Sequence, residues 1–384
     1  MTAVRILHVV TRSQRRGAEL VALELARGLD GLGHTNHVVA LGLGFDGTAD
    51  PAIAPLSARS DGGARTLLDA TLALRRRLRR EPVDIVIAHG GRAVEAAVLA
   101  RRRGRPLLVW QRILGFPPEV WRPIARRRWR AVVRRIDAAV ALTPELGAEL
   151  TRLGFTGPLW PIPNFRDPAP FAALDRDAAA RELRAELGIP ADTALVGFVG
   201  HLIEQKRPDR ALDTLVAVHD QGVPAHLVVA GDGPLRTRVE QDVAARGLTA
   251  SVHVLGHRDD VARILGAIDV FVLTSDHEGL PGVLIEAQMA GCPVVTVPVG
   301  AVRDLVDDGE TGFVTDAVDA QLLATNVVAL LHDPELRKQF GESAKARSKR
   351  FDLEVAAGIY NVSLMGLLAE TGDPGQSSDA APEL

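Results

Sequence analysis

Two successive series of short apolar runs, each closed by a polar or glycine-bearing turn, constrain this chain more than any other feature. The first series opens with VRILHVV (4–10), the turn RSQRRGAE and the amphipathic segment LVALELARGLDGLGH. It continues through HVVALGL (37–43), VDIVIAHGG (83–91), PLLVW (106–110) and IDAAVALT (136–143). The second opens with ALVGFVGH (194–201) and the helical PDRALDTLVAVHDQG (208–222), then runs through AHLVVAGDG (225–233), SVHVLGH (251–257), DVFVLTS (269–275) and PVVTVPVG (293–300). Near-continuous Val/Ile/Leu runs suit strands covered on both faces, so their alternation with helices predicts parallel sheets with helices on either side. A chain of 384 residues has room for two such cores. The expected fold class is α/β, with two tandem Rossmann-like, doubly wound domains facing each other across a cleft at the carboxyl ends of their strands.

Residues 1–172 form the first expected domain and 173–350 the second, with the Pro-, Asp- and Ala-rich stretch 163–180 as their connection. FDLEVAAGIYNVSLMGLLAE (351–370) reads as an amphipathic helix, and 371–384 has the composition of a disordered tail. The net charge of −3 conceals a division: through residue 170 there are 27 Arg, no Lys and 15 acidic residues, and the remainder is correspondingly acidic. Opposite signs in the two parts suggest domains with different ligands, although a preference for Arg codons accounts for the absence of Lys. The single cysteine, Cys292, rules out an intramolecular disulfide and reads as a small buried hydrophobe at a strand entrance. The N-terminus lacks the apolar core and small-residue cleavage site of a signal peptide, and no uninterrupted apolar stretch of about 18 residues follows. A cytoplasmic location is expected.

The candidate site residues collect at strand exits. His201 and Lys206 follow one strand in GFVGHLIEQKRPDR, where a lysine can meet a phosphate or simply be solvated. AGDGP (230–234) lacks the G-x-G-x-x-G spacing of a nicotinamide site, and its glycines read as a tight turn. EGLPGVLIE (278–286) is the most constrained stretch. Pro281 suits a helix start, the glycines at 279 and 282 admit close backbone approach, and a helix from Gly282 would offer free N–H groups to an anion. Glu278 and Glu286 would then flank a diphosphate and accept hydrogen bonds from sugar hydroxyls. The spacing alone is equally compatible with a solvated loop Glu and a dipole-stabilised helix Glu. In the first domain Gly17, His89 and Arg112 all fall at strand exits on the same sheet edge, each open to a structural reading as well. No apolar run followed by D-x-D, metal-spaced histidine set, G-x-S-x-G elbow or Walker loop is present, which points to metal-independent chemistry on a nucleotide or sugar.

With these residues assembled, the chain resembles the retaining glycosyltransferases of the GT-B fold, in the glycosyltransferase family 4 group. VGHLIEQKRPDRAL, LVVAGDGPLRTRVE, VHVLGH, DVFVLTSDHEGLPGVLIEAQMAGCPVV and VGAVRDLVDDGETGFV carry the resemblance over residues 195–315. RGAELVALELARGL, VDIVIAHG, AVALTPE and PIPN carry it more loosely in the first domain. The resemblance implies a hexosyltransferase using a nucleoside diphosphate sugar, UDP- or GDP-linked, without metal or other cofactor. It implies Lys206 on the donor diphosphate, Glu278 beside the donor sugar and Glu286 on the ribose. The backbone of Leu280, Pro281, Gly282 and Val283 would meet phosphate and sugar, and the turn Leu255–Gly256–His257 would hold the base. The helix 351–370 would cross back onto the first domain. Three positions depart from the family pattern: His201 stands where an arginine is usual, Arg112 where a histidine often ends the strand, and Arg16-Gly17 where two glycines are expected.

The reaction so implied is transfer to an acceptor hydroxyl with retention, in polysaccharide, glycolipid or glycoside biosynthesis. A GT-B-fold epimerase or phosphorylase, and a non-catalytic nucleotide-binding subunit, are the competing readings. The acceptor would be a sugar, a lipid-linked molecule or another small molecule. LRRRLRREP (74–82), RRRGR (101–105) and WRPIARRRWRAVVRRI (121–136) suit either an anionic membrane surface on the inner face or a solvated basic flank. Nucleic acid is not expected, because no recognition module accompanies the charge.

Overall fold

The computed structural model describes residues 3–15, 17–44, 47, 49–102 and 105–372. The backbone divides into two compact units: the residues through Phe165 together with those from Leu353 onward, and Arg166–Asp352.

The first unit is built on β1 (Arg5–Ser13), β2 (Thr35–Leu43), β3 (Ala54–Pro55), β4 (Ile85–His89), β5 (Leu107–Arg112), β6 (Ala138–Ala141) and β7 (Leu159–Pro161). They form one parallel sheet in the order β3-β2-β1-β4-β5-β6-β7. Alternate side chains feed two separate cores. Leu7, Val86, Ala88, Leu108, Trp110 and Ala139 enter one, whereas Ile6, Ile85, Ile87, Leu107, Val109 and Val140 enter the other. A sheet buried on both faces needs apolar residues at every position, which is why its strands read as unbroken hydrophobic runs.

The helix Leu353–Gly372 belongs to this unit and supplies Leu353, Ala356, Ala357, Tyr360, Leu364 and Leu367 to the second of these cores. It packs on the helix Gly17–Gly31 through Gly28, where an added Cβ would lie 2.9 Å from Ala357 Cβ. By length and composition alone, residues Leu353–Thr371 also satisfy the requirements of a membrane span. The expected tail, apart from residues 371 and 372 that end this helix, lies outside the described residues.

The second unit is built on β8 (Ala194–Val199), β9 (Ala225–Ala230), β10 (Val252–Gly256), β11 (Val270–Leu273), β12 (Val294–Thr296) and β13 (Gly312–Val314). These pair in parallel in the order β10-β9-β8-β11-β12-β13. Cys292 is buried before β12, and burial pushes its thiol up to about 11.

The chain changes unit at Phe165–Arg166, earlier than the expected boundary at 172. The expected connection 163–180 is mostly structured. It contains the short helix Ala169–Ala172 and the start of Arg176–Leu187, which is N-capped by Asp175 and terminated by Gly188 in the left-handed region. Arg176 donates to the carbonyls of Leu265, Ile268 and Ala290, binding that helix into the second unit.

Candidate functional site

The strand order of the second sheet reverses between β8 and β11, and loops at such a switch point line the crevice where doubly wound folds bind ligands. Here these are residues 200–207 and 274–281. Several hydrogen bonds lock the two loops together. Thr274 Oγ1 donates to the carbonyls of Lys206 and Arg207, Asp276 N donates to Gln205 O, and Gln205 Nε2 donates to His277 O. Arg210 Nη2 donates to Asp276 Oδ1 at 2.7 Å. The result is that Lys206 Nζ donates to Glu278 Oε1 at 2.6 Å, and Ser275 Oγ donates to the same oxygen at 2.6 Å. The Glu278 side chain is only 7% exposed and that of Lys206 22%.

Pro281 caps a helix that runs from Gly282 to Met289, with φ −69° and an extended ψ of 114°. Leu280 and Pro281 are buried, whereas Gly282, Val283 and Glu286 are partly open. Glu286, one turn inside the helix, accepts a hydrogen bond at 2.5 Å from Arg166 Nε. The two glutamates are therefore held by different cations and do not form an acid/base pair. A Cβ added to Gly282 would fall 1.6 Å from Arg166 Nη2. The guanidinium thus lies directly against the helix start, and a side chain at 282 would have to displace it.

His201 Nδ1 lies 2.5 Å from the Asp232 carbonyl, which can only accept, so this nitrogen carries the proton. Gly231 and Gly233 are at φ +150° and +158°, and added Cβ atoms would meet Gly200 O at 1.9 Å and Leu202 O at 2.5 Å. The glycines of AGDGP serve close loop-to-loop packing beside His201, more than the turn expected of them. Gly256, at φ +70°, ends β10, and its carbonyl accepts from Gly231 N at 2.8 Å. His257 is exposed and faces Asp259 at 3.3 Å.

The first-unit residues are placed less simply. Gly17 is the exposed first residue of its helix. His89 ends β4 but is fully buried, paired through Nε2 to His8 Nδ1 at 3.0 Å, and His8 Nε2 meets Asn36 Oδ1 at 3.0 Å. Because Asn36 Oδ1 accepts, His8 carries its proton on Nε2 and His89 donates to it, so both rings are neutral. Burial pushes His8 down to about 4 and His89 well below the usual histidine range. Arg112 is buried too. It donates to Glu149 Oε2 at 3.0 Å and its guanidinium carbon lies 3.5 Å from the Phe116 ring centre. Burial lowers it to about 10, against the raising effect of Glu149. Of the three residues expected at one sheet edge, His89 and Arg112 are buried and Gly17 is exposed. At the ends of these neighbouring strands the buried His89 ring lies within hydrogen-bond reach of the Gln111 side chain, and Arg112 Nε is buried without a hydrogen-bond partner among the described residues.

Reading the sequence missed Ser275 and Arg166. Ser275 leaves no pattern beyond a hydroxyl at a strand exit. Arg166 left one signal, a charged residue between Phe165 and Asp167 in an otherwise Pro- and Ala-rich connection.

Two doubly wound parallel sheets in tandem, with the polar loops of the second gathered at its switch point, define the GT-B architecture. HepE of Anabaena, solved with UDP and glucose, matches with a TM-score of 0.78 at 21% identity, over 94% of this chain and all (100%) of that one. WaaG, a glycosyltransferase involved in lipopolysaccharide biosynthesis, matches with a TM-score of 0.74 at 19% identity, over 96% of this chain and 100% of that one. In sequence, residues 179–347 match the family described as Glycosyl transferases group 1, and residues 15–169 match Glycosyltransferase Family 4. The alpha-D-kanosaminyltransferase of Streptomyces kanamyceticus is 31% identical over 307 residues, spanning 74% of this chain and 79% of that protein. The lipopolysaccharide core biosynthesis glycosyltransferase LpsE of Rhizobium meliloti is 27% identical over 271 residues, spanning 71% and 72%. The chain belongs to the family 4, group 1 glycosyltransferases of GT-B fold.

Proposed function

We propose that this glycosyltransferase moves a hexose from a nucleoside diphosphate sugar to an acceptor hydroxyl with retention of anomeric configuration, in the synthesis of a polysaccharide, glycolipid or glycoside. The observation that carries this reading is the Lys206–Glu278 contact at the switch point, beside the helix that starts at Gly282. Cleavage of the bond from the anomeric carbon to the diphosphate leaves negative charge on the departing group, and the new bond to the acceptor oxygen forms on the same face. The Lys206 ammonium and the amides at the start of the Gly282 helix would stabilise that charge without a divalent cation. A protonated His201 would add a second cation through Nε2, its Nδ1–H being held by the Asp232 carbonyl. Glu278 would face the donor sugar, Glu286 would accept from the ribose, and Gly256 and His257 would border the base. HepE, solved with UDP and glucose, supports a nucleoside diphosphate as the leaving group here.

The first unit would bring the acceptor, with Gly17, His89 and Arg112 as its contacts. Its basic flank would rest on an anionic membrane surface on the cytoplasmic side. The helix Pro123–Val133 and the residue before it expose Arg122, Arg126, Arg127 and Arg130 around Ile124, which is 84% exposed. Trp129 anchors this helix, stacking on Trp110 at 5.6 Å between ring centres and meeting Phe116 edge-on at 4.9 Å. An exposed Ile on an arginine-rich helix suits anionic lipid.

A screen of UDP-, GDP-, ADP- and TDP-sugars tests the donor reading. One of them should raise the melting temperature, by about 2.7 kcal/mol of stability at a hundredfold excess over Kd, and be slowly hydrolysed. Neither stabilisation nor hydrolysis with any of them would overturn the reading.

A further inference from the structure

We propose that Arg166 is a positioning residue for the donor, fixing the Glu286 carboxylate in the orientation that receives the ribose hydroxyls. The proposal rests on Glu286 being the ribose ligand. Arg166 is the first residue of the second unit and sits where the chain enters and leaves it. Its N–H donates to Phe351 O at 2.9 Å, and it bridges Asp352, the last residue of that unit. From this backbone anchor the side chain, only 6% exposed, reaches back to Glu286, which is 15% exposed. Its Nη2 lies against Gly282 at the helix start, where an added Cβ would fall 1.6 Å from it and force the guanidinium to shift.

A buried guanidinium is costly unless it is paired, and the pair adds little stability beyond its own desolvation cost. Its more useful consequence is geometric. The planar fork has little rotational freedom once docked, and it holds a carboxylate in one plane better than a lysine could. A carboxylate has two oxygens and about four lone-pair directions, so one guanidinium hydrogen bond leaves acceptor capacity for a vicinal diol.

The test uses the full chain, with UDP and GDP and their 2′,3′-dideoxy counterparts titrated calorimetrically against Arg166→Gln, Glu286→Gln and the double variant. For the ribonucleotide that binds, each single variant should lose about tenfold in affinity, and the double variant should lose no more than Glu286→Gln alone. Arg166→Gln should bind the dideoxynucleotide as the wild type does. Fully additive losses, an equal loss with the dideoxynucleotide, or no loss at all would overturn the proposal. If Arg166→Gln does not fold, Arg166→Lys decides on the same nucleotide pair, with a loss confined to the ribonucleotide expected. Wild-type affinity in Glu286→Gln would overturn the ribose reading itself, and failure of the wild-type chain to bind either ribonucleotide would overturn the donor reading.

Discussion

Lys206 and Glu278 form an ion pair at 2.6 Å, and the loops that carry them are joined by hydrogen bonds independent of that pair. The contact is therefore preorganised: losing one partner leaves the loops in place and exposes the chemical role of the other. Lys206→Met should lower kcat at saturating donor by about 10²- to 10³-fold, the cost of removing one preorganised donor to developing charge. Glu278→Gln should abolish most transfer with an unchanged melting temperature. Turnover near that of the wild type in Glu278→Gln would sink the assignment of this loop.

Gly300 supports the same loop from behind. It is at φ +57°, and a Cβ there would lie 2.1 Å from Glu278 O, while the next residue, Ala301, donates to Gly279 O at 3.0 Å. Gly300→Ala faces both the left-handed backbone cost of about 1–2 kcal/mol and a clash with a carbonyl that cannot rotate away. Urea unfolding should show a loss of at least that size, and donor affinity should fall with it because the Glu278 loop must move. A variant with wild-type stability and affinity would contradict this packing.

The neutral His8–His89 pair makes stability depend on pH. Unfolded histidines take up protons near 6.5, whereas His8 resists protonation down to about 4 and His89 is lowered too. Between those values the unfolded chain binds more protons, so the stabilisation is fully present above about 6.5 and is lost as pH falls toward 4. Melting temperatures recorded between pH 7 and 4 should fall, and the fall should be shallower in His8→Asn/His89→Asn. Equal slopes in the two proteins would show that the pair remains solvated or charged.

Membrane docking has its own signature. Wild-type protein should float with vesicles containing anionic lipid at low salt, stay in solution with neutral vesicles, and be released as salt shortens the screening length. Replacing Arg122, Arg126, Arg127 and Arg130 by Gln should abolish flotation, at about 1 kcal/mol for each charge near the surface. Absence of lipid dependence at low salt would remove the membrane from the proposal.

Much of the fold was legible because buried parallel strands announce themselves as apolar runs. DVFVLTS (269–275) contains β11 (Val270–Leu273), and PDRALDTLVAVHDQG (208–222) contains the helix Pro208–Asp220. The strands that escaped notice, β3, β7 and β13, are two or three residues long, too short for any period, and two of them contain proline. The helix Arg176–Leu187 was hidden by composition: only Ala179 and Leu183 are buried along it, so it carries almost no apolar stripe. For the site, residue types and local turns pointed to Lys206 and Glu278. Their contact across 72 residues depends on β8 and β11 being neighbours, which strand order alone decides. The Arg166–Glu286 pair spans 120 residues and leaves no local spacing to read.

The helix Leu353–Gly372 fills a core whose other members lie within the first 165 residues, so the two units are completed in an order opposite to their position in the chain. On the ribosome, every residue of the second unit is made before the first unit receives its last helix. The second unit can close as soon as it emerges, whereas the first must wait with the cleft for that helix uncovered. Any attempt to express the first unit alone must therefore append residues 353–372 to residues 1–165, and a ribosome stalled before residue 353 would leave an apolar face for chaperones to shield.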